Sequence, residues 1–387
     1  MGLTQVSKDG VKNDAIDASK LPANSVGASE LANNAVDTNA IADQAVALSK
    51  LPHGDGSSDG KFLRANNGAD PTFETVAGGV TSDAQGNTLA GTNAGDSFDG
   101  TNAIRNSLFG IDAGTNITTG DENQAFGRQA LYSNTTGSSN TAVGTNALYA
   151  VSTADNNTAI GNGALSNTTV GSNTACGSAA LTNTTTGGDN TACGRSALQQ
   201  NTTGGLNTSV GYNSLQQNTT GTQNTAIGAN ALDANTTAEN NVAVGKDALG
   251  ANTTGDLNTA IGNFAMGNST NNDRNVGIGY AALQNIAADQ GDTLHTCVGF
   301  RAGNAITTAT QQTHVGADAG LSVTTGHRCT FMGYSAGAST TTGENNTAVG
   351  RTSLTLNTTG GSNTAVGMDA LRNNTTAINN VAVGDSA

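Results

Sequence analysis

Several things are scarce in this chain of 387 residues, and each scarcity removes a class of protein. There is no Trp, and there are only three Pro and four Cys. Four cysteines over this length are too few for a disulfide scaffold. Charged residues make up 11% and the net charge is −14, with no basic run, so a nucleic-acid surface is not expected. The acidity serves to keep a weakly charged object in solution. No apolar stretch is long enough to cross a bilayer as a helix. The opening residues, Met1 to Asp9, lack the apolar core of a signal peptide, so synthesis in the cytosol is expected, without Sec export and without membrane insertion. The four histidines, His53, His295, His314 and His327, belong to no nucleophile elbow, phosphate loop or metalloprotease motif. A tailspike-like hydrolase would bring clustered carboxylates with aromatics for sugar stacking, and this chain has no Trp. Neither enzymatic activity nor a cofactor is expected.

Low charge and few large apolar groups are also marks of disorder, but this chain keeps a strict register. A glycine returns at Gly110, Gly127, Gly144, Gly161, Gly177, Gly194, Gly211, Gly228, Gly245, Gly262, Gly279, Gly299, Gly316, Gly333, Gly350, Gly367 and Gly384. Of the 16 intervals, 14 are 17 residues, one is 16 and one is 20. A short fixed period means stacked units that bury their apolar positions against one another. In the clearest unit, Asn207-Thr208-Ser209-Val210-Gly211 suits a short strand, and Asn218-Thr219-Thr220-Gly221 has turn chemistry, with Asn and Gly able to take positive φ. The expectation is an all-β parallel β-solenoid (a β-roll) with two short strands and two turns per coil. Seventeen coils at strand spacing would make a rod about 80 Å long.

Aligning the units on their glycine exposes the columns. The residue before it is apolar throughout, from Phe109 and Phe126 to Val383. The residue two before is usually Ala, and the residue four after is usually Leu, as in Leu131, Leu198 and Leu215. Four units carry Gly in the leucine column: Gly114, Gly303, Gly320 and Gly337. The same four carry Leu108, Cys297, His314 and Phe331 in the alanine column. This reads as an exchange of volume inside one packed space. The apolar column beside the glycine then falls on the opposite face of the strand. A thin solenoid has one interior, so burial of both faces implies other copies of the chain. We expect a homotrimer, because one apolar face per chain closes well around a threefold axis. The alternative is a monomer with a half-exposed stripe.

The rest of the chain divides into three parts. Residues 1–51 carry apolar residues every five, from Val11 and Ile16 to Val46 and Leu51, a period that fits neither helix nor strand; they read as an extended stalk. Residues 52–78 hold a Gly-rich link and a β-hairpin around Asn66-Asn67-Gly68-Ala69-Asp70. Residues 79–105 are a lead-in in which Asn87 to Gly91 reads as a degenerate coil. The array occupies residues 106–387 and stops at Ala387 in mid-coil.

Segments such as Asn140 to Ala147 and Asn363 to Ala370 resemble the head repeats of trimeric autotransporter adhesins, which are trimers of left-handed parallel β-rolls. The decapeptide wording of the stalk (Ala18-Ser19-Lys20-Leu21, Ala28-Ser29-Glu30-Leu31) and the Lys61–Val76 hairpin are closer to bacteriophage tail fibres and related virion proteins. The resemblance implies a structural and adhesive virion fibre, assembled in the host cytoplasm. Its N-terminus would join other tail proteins, and a host cell-surface glycan or protein would be its receptor. The rival reading is a subunit of an extracellular or cell-surface filament. Ice binding is disfavoured, since the adjacent threonines of Asn-Thr-Thr would point to opposite faces. Variable positions after the glycines, Arg128, Arg195, Tyr212, Lys246, Tyr280, Tyr334, Arg351 and Met368, are the candidate contact side chains. His314 is a metal candidate only if three copies meet near an axis; the competing reading makes it a packed substituent of the volume-exchanged block. Cys176 and Cys193 read as small buried hydrophobes rather than as a disulfide.

Overall fold

A computed structural model describes residues 61–66, 69–75, 80–287 and 293–387. The stalk and the glycine-rich run up to Gly60 lie outside the described residues. The chain forms two compact units, Met1–Val76 and Ala77–Ala387. In the first, β1 (Lys61–Asn66) pairs antiparallel with β2 (Ala69–Thr75), Lys61 opposite Thr75 and Leu63 opposite Phe73.

The second unit is a parallel β-solenoid. Among the described residues there is no helix. Strand β3 (Thr81–Ser82) pairs antiparallel with β4 (Thr88–Ala90), and from β4 onward every pairing is parallel. Seventeen strands of three residues follow, from β5 (Ser107–Phe109) to β21 (Val381–Val383). They stack without slippage, so that Thr191, Ala192 and Cys193 stand over Thr208, Ser209 and Val210. Asn87 to Gly91 supplies a full member of the ladder, since Thr88, Leu89 and Ala90 pair with Ser107, Leu108 and Phe109.

Each coil has one strand, where two were expected. The stretch after the glycine is a chain of turns because residues two and four beyond it adopt left-handed conformations, as at Asn213 (φ 54°) and Leu215 (φ 49°). A left-handed leucine costs roughly 1–2 kcal/mol of local energy, and burial of its side chain offsets this. Coil-to-coil bonds nevertheless run around the perimeter: the amides of Leu198 and Leu215 donate to the carbonyls of Ser214 and Ala231, each at 3.0 Å. The repeating glycine is required twice over. At Gly144 φ is +131°, and an added Cβ would lie 2.6 Å from the carbonyl oxygen of Gly161 in the next coil. An L side chain is strained there and would push the coils apart.

The interior holds the alanine and leucine columns as one packed space, as the volume exchange requires. A Cβ at Gly114 would meet Leu108 Cδ1 at 2.8 Å, one at Gly303 would meet Cys297 Sγ at 2.7 Å, and one at Gly337 would meet Phe331 Cε2 at 2.6 Å. At Gly320 the added atom would fall on the His314 imidazole. The enlarged side chain of each coil thus occupies the room that leucine fills elsewhere.

Two columns of asparagine complete the interior. Asn224 donates its backbone N–H to Asn207 Oδ1 at 3.0 Å and its Nδ2 to the Ala238 carbonyl at 2.7 Å, while its own Oδ1 accepts the N–H of Asn241 at 3.0 Å. Both the oxygen and the nitrogen of the buried Asn224 amide are thus satisfied, which is the condition for burying it. The asparagine of Asn-Thr-Thr forms the second column, with Asn218 Nδ2 donating to Asn201 Oδ1 at 2.8 Å. This residue was expected in a left-handed turn; it instead caps its own turn from inside, as Asn134 does on Gly137. The first threonine of the motif bonds across coils, Thr202 Oγ1 to the Thr219 carbonyl at 3.0 Å.

Candidate surface sites on the solenoid

The strand sends its middle residue inward and its outer two to the surface. The column beside the glycine is therefore an outward aliphatic stripe. Phe126, Val143, Ile160, Val210, Ile227, Ile261 and Met332 are 37–43% exposed. Between Phe126 and Met332 the stripe is continuous, carrying one apolar side chain or cysteine per coil. In a single chain the second strand face is thus open, and the burial inferred for it from sequence requires a partner.

Cys176 and Cys193 lie in this stripe as exposed free thiols, not as buried hydrophobes. They stand opposite each other on adjacent strands, and burial together with the neighbouring Cys176 thiol raises the pKa of Cys193.

The candidate contact residues share one column, immediately past the glycine. Arg128, Arg195, Tyr212, Lys246, Tyr280, Tyr334, Arg351 and Met368 are all exposed. They engage one another between coils. Arg195 donates to Tyr212 Oη at 2.8 Å, with its guanidinium 4.7 Å from the ring centre. Hydrogen bonds from Asn213 and Arg195 lower the Tyr212 pKa. Arg351 lies 3.8 Å from Asp369 and contacts Met368 Sδ at 3.1 Å.

Sequence reasoning missed three members of the densest stretch: Phe264, Phe300 and Arg301. Tyr280 stacks on Phe300 with centroids 5.4 Å apart and meets the edge of Phe264 at 6.1 Å. Lys246 lies 5.4 Å from the Phe264 centroid, and Arg301 lies 4.9 Å from that of Phe300. Phe300 sits directly after Gly299, so its column was available as a signal. Phe264 is one position further on, and only stacking brings it into the row.

His314 faces its own coil's interior and is fully buried. Three copies cannot meet through it at an axis, because its column is the one that elsewhere holds alanine. Its Nε2 lies 3.1 Å from Gln312 Oε1, its ring stacks on Phe331 with centroids 5.0 Å apart, and its Nδ1 has no partner. His295 and Gln312 stand in the asparagine column, with the Gln312 N–H donating to His295 Nδ1 at 3.4 Å. Burial pushes His295 down to about 4 and His314 down to about 3, each imidazole also disfavouring charge through a neighbouring histidine. Burial raises Cys297 strongly and Cys329 to about 11, which leaves both as neutral thiols. Among the described residues no group of three or more His, Cys, Asp and Glu is arranged to hold a metal ion.

The class of protein is settled by this geometry: a single-chain parallel β-solenoid repeat protein with satisfied polar columns inside and an apolar stripe outside. Neither a protein-family model nor a curated protein matches the chain.

Proposed function

We propose that this chain is the structural and adhesive subunit of a virion fibre that attaches the particle to the surface of a host cell. The observation that carries the reading is the uncovered aliphatic stripe running down the stacked strands. Three parallel chains facing a common axis would cover it in register, each height meeting its own copies. The result is a stiff rod whose surface columns are presented three times over, so weak contacts add by avidity. The N-terminal region would join the fibre to other tail proteins, and the receptor would be a surface glycan or protein.

The test is native mass by light scattering on the full chain. Three times the 38.2 kDa chain mass is expected. The Val210→Lys, Ile227→Lys, Ile261→Lys variant should fall to a single chain with an unchanged circular dichroism spectrum, because these side chains touch no interior column. A wild-type monomer would overturn the assembly. A mass that keeps growing with concentration would favour the end-to-end filament instead.

A further inference from the structure

The surface column past the glycine is permissive. It holds Thr145, Asn162, Ser178 and Ala229 in some coils, so the fold does not require an aromatic there. Yet three consecutive coils place Phe264, Tyr280 and Phe300 side by side on this surface, Tyr280 between the other two. Tyr280 and Phe300 are each 48% exposed, and Phe264 is half-buried beside them. Large open aromatic surface with no packing role is the usual mark of a contact site. The row is short, whereas a face for self-association would have to continue through every coil as the aliphatic stripe does. This argues against a second copy as its occupant.

Charge at the two ends of the row narrows the ligand. Lys246 Nζ lies 3.2 Å from Asp247 Oδ2, and Arg301 makes a 2.9 Å ion pair with Asp318 Oδ1. Each cation is matched by a carboxylate, so neither end offers net charge to an ion. Each end does offer a donor beside an acceptor, the arrangement that suits vicinal hydroxyls. The aromatic surface between them suits the C–H face of a pyranose. Four coils at strand spacing put these ends roughly 15 Å apart, enough for a short run of sugar units.

We propose that the Phe264–Tyr280–Phe300 row, bounded by the Lys246–Asp247 and Arg301–Asp318 pairs, binds an uncharged linear glycan lying along the solenoid axis. This deepens the attachment reading by naming the ligand class, and it rests on that reading for its biological setting. The experiment is an array of linear neutral gluco-, manno- and galacto-oligosaccharides probed with the full chain, alongside adsorption of the labelled chain to a panel of bacterial cells. The Tyr280→Ala, Phe300→Ala variant should weaken array binding by about tenfold or more, as loss of aromatic contacts does in recognition sites. The Tyr132→Ala, Tyr149→Ala variant removes a stacked pair in another column and should leave binding intact. Affinity should change little between low and high salt. No binding to any neutral oligosaccharide, equal binding by the first variant, or steep loss with salt would each overturn the proposal. The two readings fail separately. If wild type and the first variant decorate cells equally, attachment stands and the glycan site falls. If the array is bound through Tyr280 and Phe300 but no cells are, the site stands and attachment falls.

Discussion

Acid should loosen the coils around His295 and His314 before it affects the rest of the rod. Both imidazoles are buried, His314 Nδ1 has no hydrogen-bond partner, and burial takes their values from 6.5 down to about 4 and about 3. The unfolded chain takes up these protons near pH 6.5 and the folded chain does not. The stabilisation is therefore complete above pH 6.5 and is lost as pH falls towards the folded-state values. Each histidine contributes a slope of about 1.4 kcal/mol per pH unit in that window. Between pH 6.5 and about 4.5 this amounts to roughly 3 kcal/mol each and about 5–6 kcal/mol together. Carboxylates elsewhere also titrate, so the measurement must be differential. The variant His295→Asn, His314→Ala, Gly320→Leu puts asparagine back in its column in one coil and the alanine–leucine pair back in the next. Repeat arrays need not unfold in one step, so amide hydrogen exchange at Thr296–Val298 and Thr313–Val315 is the appropriate assay. Wild type should lose protection there on acidification, and the variant should lose far less. Equal pH dependence in the two proteins, or greater wild-type protection in acid, would refute the reasoning.

Three further predictions follow from the interior. Phe331→Ala should cost about 3–5 kcal/mol through the cavity it leaves, and Gly337→Leu alone should overpack the same space. The double variant should recover most of both losses by urea denaturation, and additive losses would disprove the volume exchange. Asn224→Ala orphans the buried Asn241 N–H and takes one of two donors from the Ala238 carbonyl, which keeps Asn235 Nδ2; the orphaned N–H should cost about 1–3 kcal/mol, and a loss below about 1 kcal/mol would mean that the asparagine column is not a stabilising ladder. Gly144→Ala should disrupt its coils, because the new Cβ would lie 2.6 Å from a backbone oxygen, whereas Gly163→Ala has nothing within 4 Å and only a left-handed φ of +64° to tolerate. The latter should cost about 1 kcal/mol, and similar melting temperatures for the two variants would contradict the close approach.

Much of this was legible from residue order because stacking repeats the same environment in every coil. The paired appearance of Gly337 with Phe331, or Gly114 with Leu108, already stated that two columns share one volume. The outward course of the aliphatic stripe followed from strand alternation. The coil's internal path was not legible: leucines such as Leu215 and Leu232 hold left-handed conformations that no intrinsic preference favours, imposed by the hydrogen bonds and burial that neighbouring coils supply. The place of the asparagines was hidden for a related reason. Asn134 and Asn218 carry turn chemistry in sequence, yet they face inward because buried carbonyls of the stacked coils need their amides.

The candidate sites divide in the same way. The column holding Tyr212, Lys246 and Tyr280 could be read by counting from each glycine. That Phe264, one position out of register, joins Tyr280 and Phe300, and that Lys246 and Arg301 close the row beside matched carboxylates, depended on how side chains from successive coils lean together. The sequence by itself determined the period, the column chemistry and the shared core volume, since these are properties of composition at fixed spacing. Only the tertiary structure decided the one-strand coil, the inward His314 and the aromatic row, because each depends on backbone angles and side-chain contacts that exist only once coil is stacked on coil.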